Sequence, residues 1–231
     1  MHISTKNKLK FFGLKNYCPV CKSFISRFKP IGFIQKRNAL CPVCHSLERH
    51  RLVWLFFKNE MNLFLFDKKI KMLHTAPENC FVRRLKNAEN IDYYSIDIQS
   101  ELADDKMSLI DLQFADETFD FFYSSHVLEH IENDKKAFKE IFRVLKPNGV
   151  AIIIVPIKGE KTEEDLSVKS PELREKIYGQ SDHVRIYGTD IEYRIKEEGF
   201  NVEMIKYYYT FSKFKQKYLG LSNEIIIKCV K

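Results

Sequence analysis

Two identical Cys-Pro-Val-Cys motifs hold four of the six cysteines in this chain of 231 residues. They place Cys18 and Cys21 on one tight turn and Cys41 and Cys44 on another, with nineteen residues between the motifs. Two such turns that face each other supply four thiolates, which is the ligand set of a structural zinc site. The segment between them has few core residues and would not fold well without a metal. The spacing predicts a small zinc ribbon, and iron in the same four-sulfur site is the alternative.

Two histidines are placed where they could move a proton. His126 follows the apolar run TFDFFYSS, and His183 lies in the later segment QSDHVRIYG. A neutral imidazole near pH 7 can take the proton from a hydroxyl group. We therefore expect His183 to act as a catalytic base and His126 to form a wall of the active site. His126, Glu129 and His130 could also form a small metal site, although Glu129 and His130 more often cap and orient a helix.

Arg185 and Tyr187 alternate with His183 in the same segment. In an extended chain, residues two apart point to the same side, so these side chains would face one ligand. We expect Arg185 and Tyr187 to bind the substrate. The alternative is that Arg185 pairs with an acid such as Asp182 or Glu129 and only pins the loop.

Asp97 ends a β-branched and aromatic run, IDYYSIDI, that predicts a strand over residues 91–98. In nucleotide-binding α/β sheets, an acidic residue at the tip of the second strand binds the ribose hydroxyls. Asp97 is therefore the firmest candidate for cofactor binding. An aspartate exposed at a strand end is the other interpretation.

The elements that must position these residues form an alternating pattern. Residues 118–123 and 150–155 are short apolar runs typical of buried parallel strands, and a helical period lies between them. We expect the segment Lys146-Pro147-Asn148-Gly149 to end this helix, with Gly149 supplying the positive φ of a tight turn. Strand, helix and strand in this order predict one βαβ crossover inside a sheet that is covered on both faces.

The remaining chain extends the same sheet. Residues 71–75 read as its first strand, and residues 201–209 and 223–230 as a final antiparallel pair. Ser46 is a favourable N-cap for a helix that follows the second cysteine motif, and no Gly/Ser-rich linker separates the ribbon from the rest. We therefore expect a ribbon with its connecting helix over residues 1–60 and an α/β domain over residues 61–231.

One stretch resembles a known family. FADETFDFFYSSHVLEHIEND, followed by LKPNG and an apolar strand, is similar to the class I S-adenosylmethionine-dependent methyltransferases of the type 11 group. The resemblance covers roughly residues 70–210. It implies an enzyme with a Rossmann-like, seven-stranded α/β methyltransferase sheet and with S-adenosylmethionine as its cofactor.

The resemblance also implies where the cofactor binds. In the family, the first strand ends in a Gly-rich loop, and HTAPENC, which contains no glycine, stands in that place here. A subgroup carries this kind of loop, as it does the later GQxDHVRxYG motif. Besides Asp97, the implied cofactor-binding residues are His74, Ala76, Pro77, Glu78, Ser108, Leu109 and Ser124, with Ser108 where an Asp is usual.

Charge and hydropathy limit the partners. The net charge is +7, and residues 1–60 alone carry +10, since they have twelve Lys and Arg against two acids. This excess is either a solvated surface or a module that attracts an anionic partner such as RNA, a nucleotide-sugar or an acidic glycan. No apolar run approaches the length of a membrane span, and MHISTKNKLK lacks the apolar core of a signal peptide, so we expect a cytoplasmic location.

Three functions remain open. The first is methyl transfer from S-adenosylmethionine, which we expect to be O-methylation, to a polar or anionic acceptor such as a sugar, a glycan precursor or a similar small molecule. The second is methylation of ribosomal RNA, with the basic ribbon gripping phosphates. The third, suggested by the missing glycines and by Ser108, is a catalytically dead module that binds a cofactor or a partner.

Overall fold

The computed structural model describes residues 5–31 and 36–231. Its helices are α1 (Thr5–Lys10), α2 (Glu48–Asn59), α3 (Asn79–Lys86), α4 (Asp134–Val144), α5 (Pro171–Tyr178), α6 (Ile191–Lys196) and α7 (Lys213–Leu219), with 3₁₀ turns at Leu128–His130 and Tyr207–Thr210. Its strands are β1 (Asn16–Cys18), β2 (Ser23–Ile25), β3 (Lys29–Ile31), β4 (Lys36–Leu40), β5 (Ile70–Thr75), β6 (Ile91–Asp97), β7 (Asp105–Lys106), β8 (Phe119–Ser125), β9 (Leu145–Ile154), β10 (Glu163–Glu164), β11 (Arg185–Ile186), β12 (Asn201–Ile205) and β13 (Ile226–Val230).

The chain divides into two compact units that interleave along the sequence. Unit 1 consists of Met1–Lys69, Glu78–Ile91 and Lys206–Asn223, and unit 2 of Ile70–Pro77, Asp92–Ile205 and Glu224–Lys231. Unit 1 thus contains the predicted ribbon together with two later segments of the chain. No helix in the described part of the chain is both long and apolar enough to cross a membrane.

Unit 2 is built on a seven-stranded sheet with the order β12-β13-β9-β8-β5-β6-β7. The central pairs β5–β8 and β8–β9 are parallel, whereas β13 runs antiparallel to both β9 and β12. Residues such as Phe122, Ile153 and Ile227 are fully buried, as expected for strands covered on both faces. The structure confirms the predicted α/β class and the closing antiparallel pair.

Helix α4 forms the crossover between β8 and β9. Asn133 caps it by accepting a hydrogen bond from the Lys136 amide at 3.0 Å, and Ala137, Phe138 and Ile141 bury its apolar face. This three- and four-residue spacing is what places one stripe of the helix in the core.

The turn after α4 differs from the expectation. Strand β9 already begins at Leu145, and its pairing with β8 is irregular between Phe119 and Phe121. Asn148, with φ of 63°, takes the left-handed conformation that we assigned to Gly149. Asparagine tolerates this region because its short polar side chain bonds locally. Gly149 serves close approach instead, since a Cβ there would lie 2.7 Å from the Lys146 carbonyl oxygen.

In unit 1, a buried arginine ties separate segments together. Arg51 in α2 is fully buried and donates hydrogen bonds to the carbonyl oxygens of Ala39 (3.0 Å), Ser46 (2.7 Å) and Leu219 (2.9 Å). Its guanidinium also lies 3.9 Å from the ring centroid of Phe28. This side chain joins the ribbon to the end of α7, which explains why the two belong to one unit.

Candidate active site

A cavity of about 460 Å³ opens in unit 2 beyond the carboxyl ends of β5, β6 and β8. This edge is where open α/β sheets bind their ligands. Its walls are formed by Thr75, Ala76, Ile96, Asp97, Ile98, Gln99, Met107, Ser108, Leu109, His126, Val127, His130, Ile131 and Asp182. The structure therefore brings Ala76, Asp97, Ser108, Leu109 and His126, all predicted from the sequence, to one cavity.

Asp97 is held at the tip of β6 by its own turn. Its Oδ1 accepts hydrogen bonds from the backbone amides of Gln99 and Ser100, both at 2.7 Å. Because both bonds use Oδ1, Oδ2 is the oxygen left for a ligand. A carboxylate fixed in this way is suited to accept hydrogen bonds from a pair of hydroxyl groups.

Two strand tips at the cavity have a left-handed backbone without glycine. Ala76, after β5, has φ of 50°, and His126, after β8, has φ of 55°. Such residues cost on the order of 1–3 kcal/mol and occur preferentially at functional sites. Each is held in place: the Ala76 amide donates to the Ile96 carbonyl at 2.9 Å, and the His126 amide to the Ile154 carbonyl at 2.8 Å. Ala76 thus makes the turn for which the family's loop uses glycine.

Buried hydroxyl groups at the ends of β5 and β8 fit a polar ligand. Within residues 5–31 and 36–231, Thr75 Oγ1, Ser124 Oγ and Ser125 Oγ are buried and make no hydrogen bond. A buried polar atom without a partner is costly, so a bound group that pairs with these atoms would be favoured. Ser124, predicted to bind the cofactor, belongs to this set. With Asp97, these groups fit a nucleoside that carries an amino acid.

Three of the predicted cofactor residues are placed differently. His74 is fully buried, and its Nδ1 lies 2.9 Å from the Tyr93 hydroxyl. Its ring therefore packs inside the sheet and supports the loop from behind, which corrects the prediction of direct cofactor contact. Pro77 is buried. Glu78 belongs to unit 1, at the start of α3, where its Oε1 lies 3.7 Å from His50 Nε2.

The predicted catalytic histidines belong to a cluster with Glu129. Glu129 is fully buried, and its Oε1 lies 3.2 Å from His126 Nδ1. His130 and His183 pack edge to face, with ring centroids 4.7 Å apart. His126 Nε2 also lies 3.4 Å from Glu224 Oε2. Two acids and three imidazoles thus form one cluster at the cavity wall.

His183 is only 4% exposed. Burial is the main cause that lowers its pKa below the usual value, and the neighbouring His130 acts in the same direction. A lowered pKa favours the neutral ring, which the predicted role of a base requires. The backbone amide of Val184 donates to the Glu129 carbonyl at 2.9 Å and fixes this loop.

Arg185 holds its own loop in place through hydrogen bonds to the protein. Its side chain is 1% exposed, and Nε donates to Glu164 Oε2 at 2.8 Å. Nη2 donates to the Glu132 carbonyl at 2.8 Å, and Nη1 donates to the carbonyl oxygens of Leu128 and Ile131. These bonds occupy the guanidinium, so the expected contact with a substrate is replaced by the alternative in which Arg185 pins its loop. The acid in the pair is Glu164, which the sequence did not single out.

Tyr187 supports the same loop. It is fully buried, and its hydroxyl donates to Asp134 Oδ2 at 2.9 Å. Burial, followed by the charge of Asp134, raises the pKa of Tyr187 well above its usual value. The prediction that Tyr187 binds substrate is corrected for the same reason as that for Arg185: both residues bond to buried protein groups.

Some residues at the site were not predicted to line the cavity. Asp182 and His130 line the cavity, and Asp182 Oδ2 lies 3.3 Å from His130 Nδ1. Their sequence signals were present, since Asp182 precedes His183 and His130 ends the VLEH segment. Glu224 had no such signal, because it lies 98 positions from its partner His126.

Unit 1 brings the four predicted cysteines together. The sulfur atoms of Cys18 and Cys44 are 3.6 Å apart, and those of Cys21 and Cys41 are 3.8 Å apart. All four lie within 4.8 Å of one another. A tetrahedral site with Zn–S bonds of about 2.3 Å places its sulfur atoms about 3.8 Å apart. The cysteine cluster thus has the dimensions of a four-sulfur metal site.

Ser46 is also part of this cluster. Helix α2 begins at Glu48 with Leu47 in the N-cap position, so Ser46 does not cap the helix as we expected. Its hydroxyl lies 3.3 Å from the sulfur atoms of both Cys18 and Cys44. A hydroxyl group there can donate a hydrogen bond to thiolate sulfur, which accounts for a serine at this position.

Comparison with known proteins decides the family. Residues 67–153 match the sequence profile of a family described as a methyltransferase domain. This part of the chain is a methyltransferase domain. It contains strands β5, β6 and β8, whose tips form the cavity, and all but the last residue of β9. The resemblance that the VLEH and LKPNG motifs carried is confirmed, as is the expectation of an enzyme domain.

Solved structures share the fold of the methyltransferase domain. YcgJ from Bacillus subtilis matches with a TM-score of 0.52 and 13% identity, over 79% of this chain and 99% of that one. An S-adenosylmethionine-dependent methyltransferase from Archaeoglobus fulgidus matches with a TM-score of 0.52 and 13% identity, over 78% and 94% of the two chains. A Haloferax volcanii complex of the Trm112 methyltransferase activator with a methyltransferase matches with a TM-score of 0.51 and 15% identity, over 78% of this chain and 93% of that one. At these identities the likeness is one of fold.

A shorter match relates this chain to an uncharacterised protein of Methanocaldococcus jannaschii. The two are 56% identical over 43 residues, which is 19% of this chain. The match spans about a fifth (21%) of that relative's length.

Proposed function

We propose that the protein transfers a methyl group from S-adenosylmethionine to a polar acceptor, with a hydroxyl oxygen as the atom that is methylated. The observation that carries this proposal is the cavity at the strand tips, where Asp97, Ala76 and Ser108 meet the imidazoles of His126 and His130. One side offers groups suited to a nucleoside, and the other offers groups suited to an acceptor and its proton.

In this proposal, Asp97 binds the ribose hydroxyls, and Ser108 and Leu109 surround the adenine. The turn at Ala76, with the hydroxyl of Ser124, receives the amino-acid end of the cofactor. S-adenosylmethionine supplies a methyl group on a positively charged sulfur, which is transferred by in-line displacement. Since such a displacement needs little covalent assistance, the chain's main task is to align the acceptor with the methyl group.

The experiment that tests this function is a methyl-transfer screen with labelled cofactor. The purified chain is offered small hydroxylated molecules, phosphorylated sugars, glycan precursors and total RNA in separate pools. We expect label in a pool of polar small molecules or glycan precursors, on oxygen. Binding of the cofactor without label in any pool would instead support a catalytically dead binding module.

We predict that His183→Ala lowers kcat by on the order of 100-fold or more and leaves cofactor affinity unchanged. The buried ring packs against His130, which lines the cavity, so its loss should affect transfer and not cofactor binding. Single-turnover rates and calorimetric titration measure the two effects separately. A variant with near-normal kcat at neutral pH would contradict this role, and His126 would be the next candidate.

The cysteine cluster of unit 1 supports zinc as the second bound group. Cys18, Cys21, Cys41 and Cys44 would hold it, and a closed four-sulfur site supplies structural stability and not catalysis. The other two cysteines, Cys80 and Cys229, are buried thiols outside any disulfide. Free thiols together with a thiolate metal site favour a reducing compartment, such as the cytoplasm.

A second candidate acceptor is favoured by another cavity, of about 770 Å³, in unit 1. Trp54 and Phe64 line it together with four cationic side chains, namely Lys22, Lys58, Arg83 and Arg84. Aromatic rings that stack with bases, and cations that neutralise phosphates, are what single-stranded RNA requires. Filter binding of labelled RNA at two salt concentrations tests this candidate. Affinity that falls steeply with salt, and that removal of an exposed cation of this cavity by Lys58→Ala reduces further, would favour RNA as the acceptor.

A further inference from the structure

The buried cluster behind the cavity has an unusual composition. Glu129, His130 and His183 each present a potential ligand atom, and these atoms all lie within 4.8 Å of one another. Two imidazoles and one carboxylate form a ligand set that binds divalent transition metals and leaves positions open for other ligands. The cluster is formed by residues of unit 2 alone.

Glu129 provides the strongest reason to expect a cation. Its side chain is 1% exposed, and neither carboxylate oxygen accepts a hydrogen bond of ordinary geometry from the residues that the structure describes. The nearby His126 Nδ1, at 3.2 Å, compensates the carboxylate only when that ring is protonated. Removing a carboxylate from water costs several kcal/mol unless a partner cation replaces the water.

The neighbouring histidines are oriented as metal ligands are. His130 Nδ1 faces Asp182, at 3.3 Å from both the backbone oxygen and Oδ2. A carboxylate on one ring nitrogen fixes the tautomer and leaves the lone pair of the other nitrogen for a metal. His183 packs edge to face against His130, with ring centroids 4.7 Å apart, so its ring belongs to the same cluster. The second nitrogen of His130 is therefore available to the cluster.

The support beneath the cluster is rigid. Arg185, two residues after His183 in the chain, donates to the carbonyl oxygens of Leu128 and Glu132, which lie on either side of Glu129 and His130. The Val184 amide donates to the Glu129 carbonyl at 2.9 Å. The loop that carries His183 is thus joined to the 3₁₀ turn that carries the other two ligands, as a preformed metal site requires.

We propose that Glu129, His130 and His183 bind a divalent transition-metal ion, which in turn binds the oxygen of the methyl acceptor. The proposal rests on the proposed function, since His130 and Asp182 open into the cavity where Asp97 would hold the cofactor. His126 and Asp182 orient the ligands from outside the metal.

The ion would act on the acceptor as a Lewis acid. An acceptor hydroxyl that binds to it loses its proton to water or to His126, and the oxygen remains bound as an alkoxide. Its electron pair forms the new bond to the methyl carbon as the carbon–sulfur bond breaks, and the sulfur leaves with that electron pair as neutral S-adenosylhomocysteine. His183 would then be a ligand, and the group that accepts the proton would lie elsewhere.

The test is titration with Mn²⁺ of the full-length chain loaded with a single equivalent of zinc, which the four thiolates take up first. Binding is monitored as loss of the free-ion signal in electron paramagnetic resonance. Mn²⁺ binds thiolates weakly and ranks lowest in affinity among these metals, so it leaves the cysteine site occupied by zinc. We expect one Mn²⁺ bound per chain. Glu129→Gln and His130→Asn should each weaken binding more than about tenfold, whereas Glu175→Gln, a change at an exposed position of α5, should not alter it.

The thermal unfolding temperature of each variant shows whether it is folded. His130 is 31% exposed at its side chain and tolerates substitution better than Glu129 does. Absence of Mn²⁺ binding by the wild-type chain would overturn the proposal, as would binding that is equally tight in folded His130→Asn. The titration contains no cofactor, so its failure is separate from failure of the proposed methyl transfer, which calorimetry with S-adenosylmethionine detects. His183→Asn separates the two roles of His183. If His183 is a base and not a ligand, this variant binds Mn²⁺ as tightly as the wild type, and that result would also overturn the proposal.

Discussion

Replacing Cys41 with serine is expected to release the metal and unfold the ribbon of unit 1. The sulfur atoms of Cys41 and Cys21 are 3.8 Å apart, and serine cannot complete a four-thiolate site at this place. A structural zinc of this type contributes on the order of 10 kcal/mol or more to folding. The segment between the two motifs is only nineteen residues long, which is too short to hold its fold without the metal.

Elemental analysis of freshly purified protein measures this effect directly. We expect one zinc per wild-type chain and less than a tenth of that in Cys41→Ser. Cys229→Ala is the matched control, because Cys229 is a buried cysteine of β13 in unit 2 and should retain the full zinc content. Iron in place of zinc would change the identity of the metal but not the site. Wild-type protein that contains neither metal would contradict the prediction.

The second large effect is expected for Arg185→Met in unit 2. Methionine preserves much of the volume but leaves Glu164 without one of its cation partners and the carbonyl oxygens of Leu128 and Glu132 without their donors. Breaking a buried, hydrogen-bonded pair by removal of one member typically costs about 3–5 kcal/mol. We therefore expect a marked decrease in the urea concentration at the midpoint of unfolding, as measured by circular dichroism.

Lys135→Met is the control for Arg185→Met. Lys135 also pairs with an acid, Glu197, at 2.7 Å, but both side chains are largely exposed. Surface pairs of this kind contribute little to stability, so the control should unfold as the wild type does. If Arg185→Met were equally stable and lost only affinity for the acceptor, Arg185 would bind substrate, as the sequence first suggested.

The sequence predicted those features that depend on local pattern. The spacing of the two cysteine motifs defined the metal-site residues, and the apolar runs around α4 defined the central crossover of the sheet. Asp97 followed from its place at the end of a strand, which is a local property. Each of these features depends on residues that lie close together in the chain, or on apolar residues that recur at a regular spacing.

The predictions that failed depended on the direction of single side chains. His74 precedes Thr75 at the cavity and Arg185 follows Asp182 by three positions, yet both side chains are buried. Their partners, Tyr93 and Glu164, lie 19 and 21 positions away, so no local pattern indicates them. Burial decided between ligand binding and support, and burial follows from the assembled sheet and not from the motif.

The turn after α4 shows a related limit. Asn148 and Gly149 are both favourable in turns, and the sequence alone does not tell which one takes the positive φ. The structure assigns it to Asn148, because Gly149 is needed where the chain passes close to the Lys146 carbonyl. The choice depends on space around each Cβ, which becomes defined only when β9 pairs with β8.

We expect S-adenosylmethionine to bind at the strand tips of unit 2 with its ribose on Asp97. Isothermal titration of the wild-type chain and of Asp97→Ala with the cofactor tests it most directly. We expect one binding site per wild-type chain and an affinity weakened by roughly 1.5–3 kcal/mol in Asp97→Ala, the cost of hydrogen bonds to a charged acceptor. Wild-type protein that binds no cofactor, or an Asp97→Ala variant that binds it as tightly as the wild type, would contradict the claim.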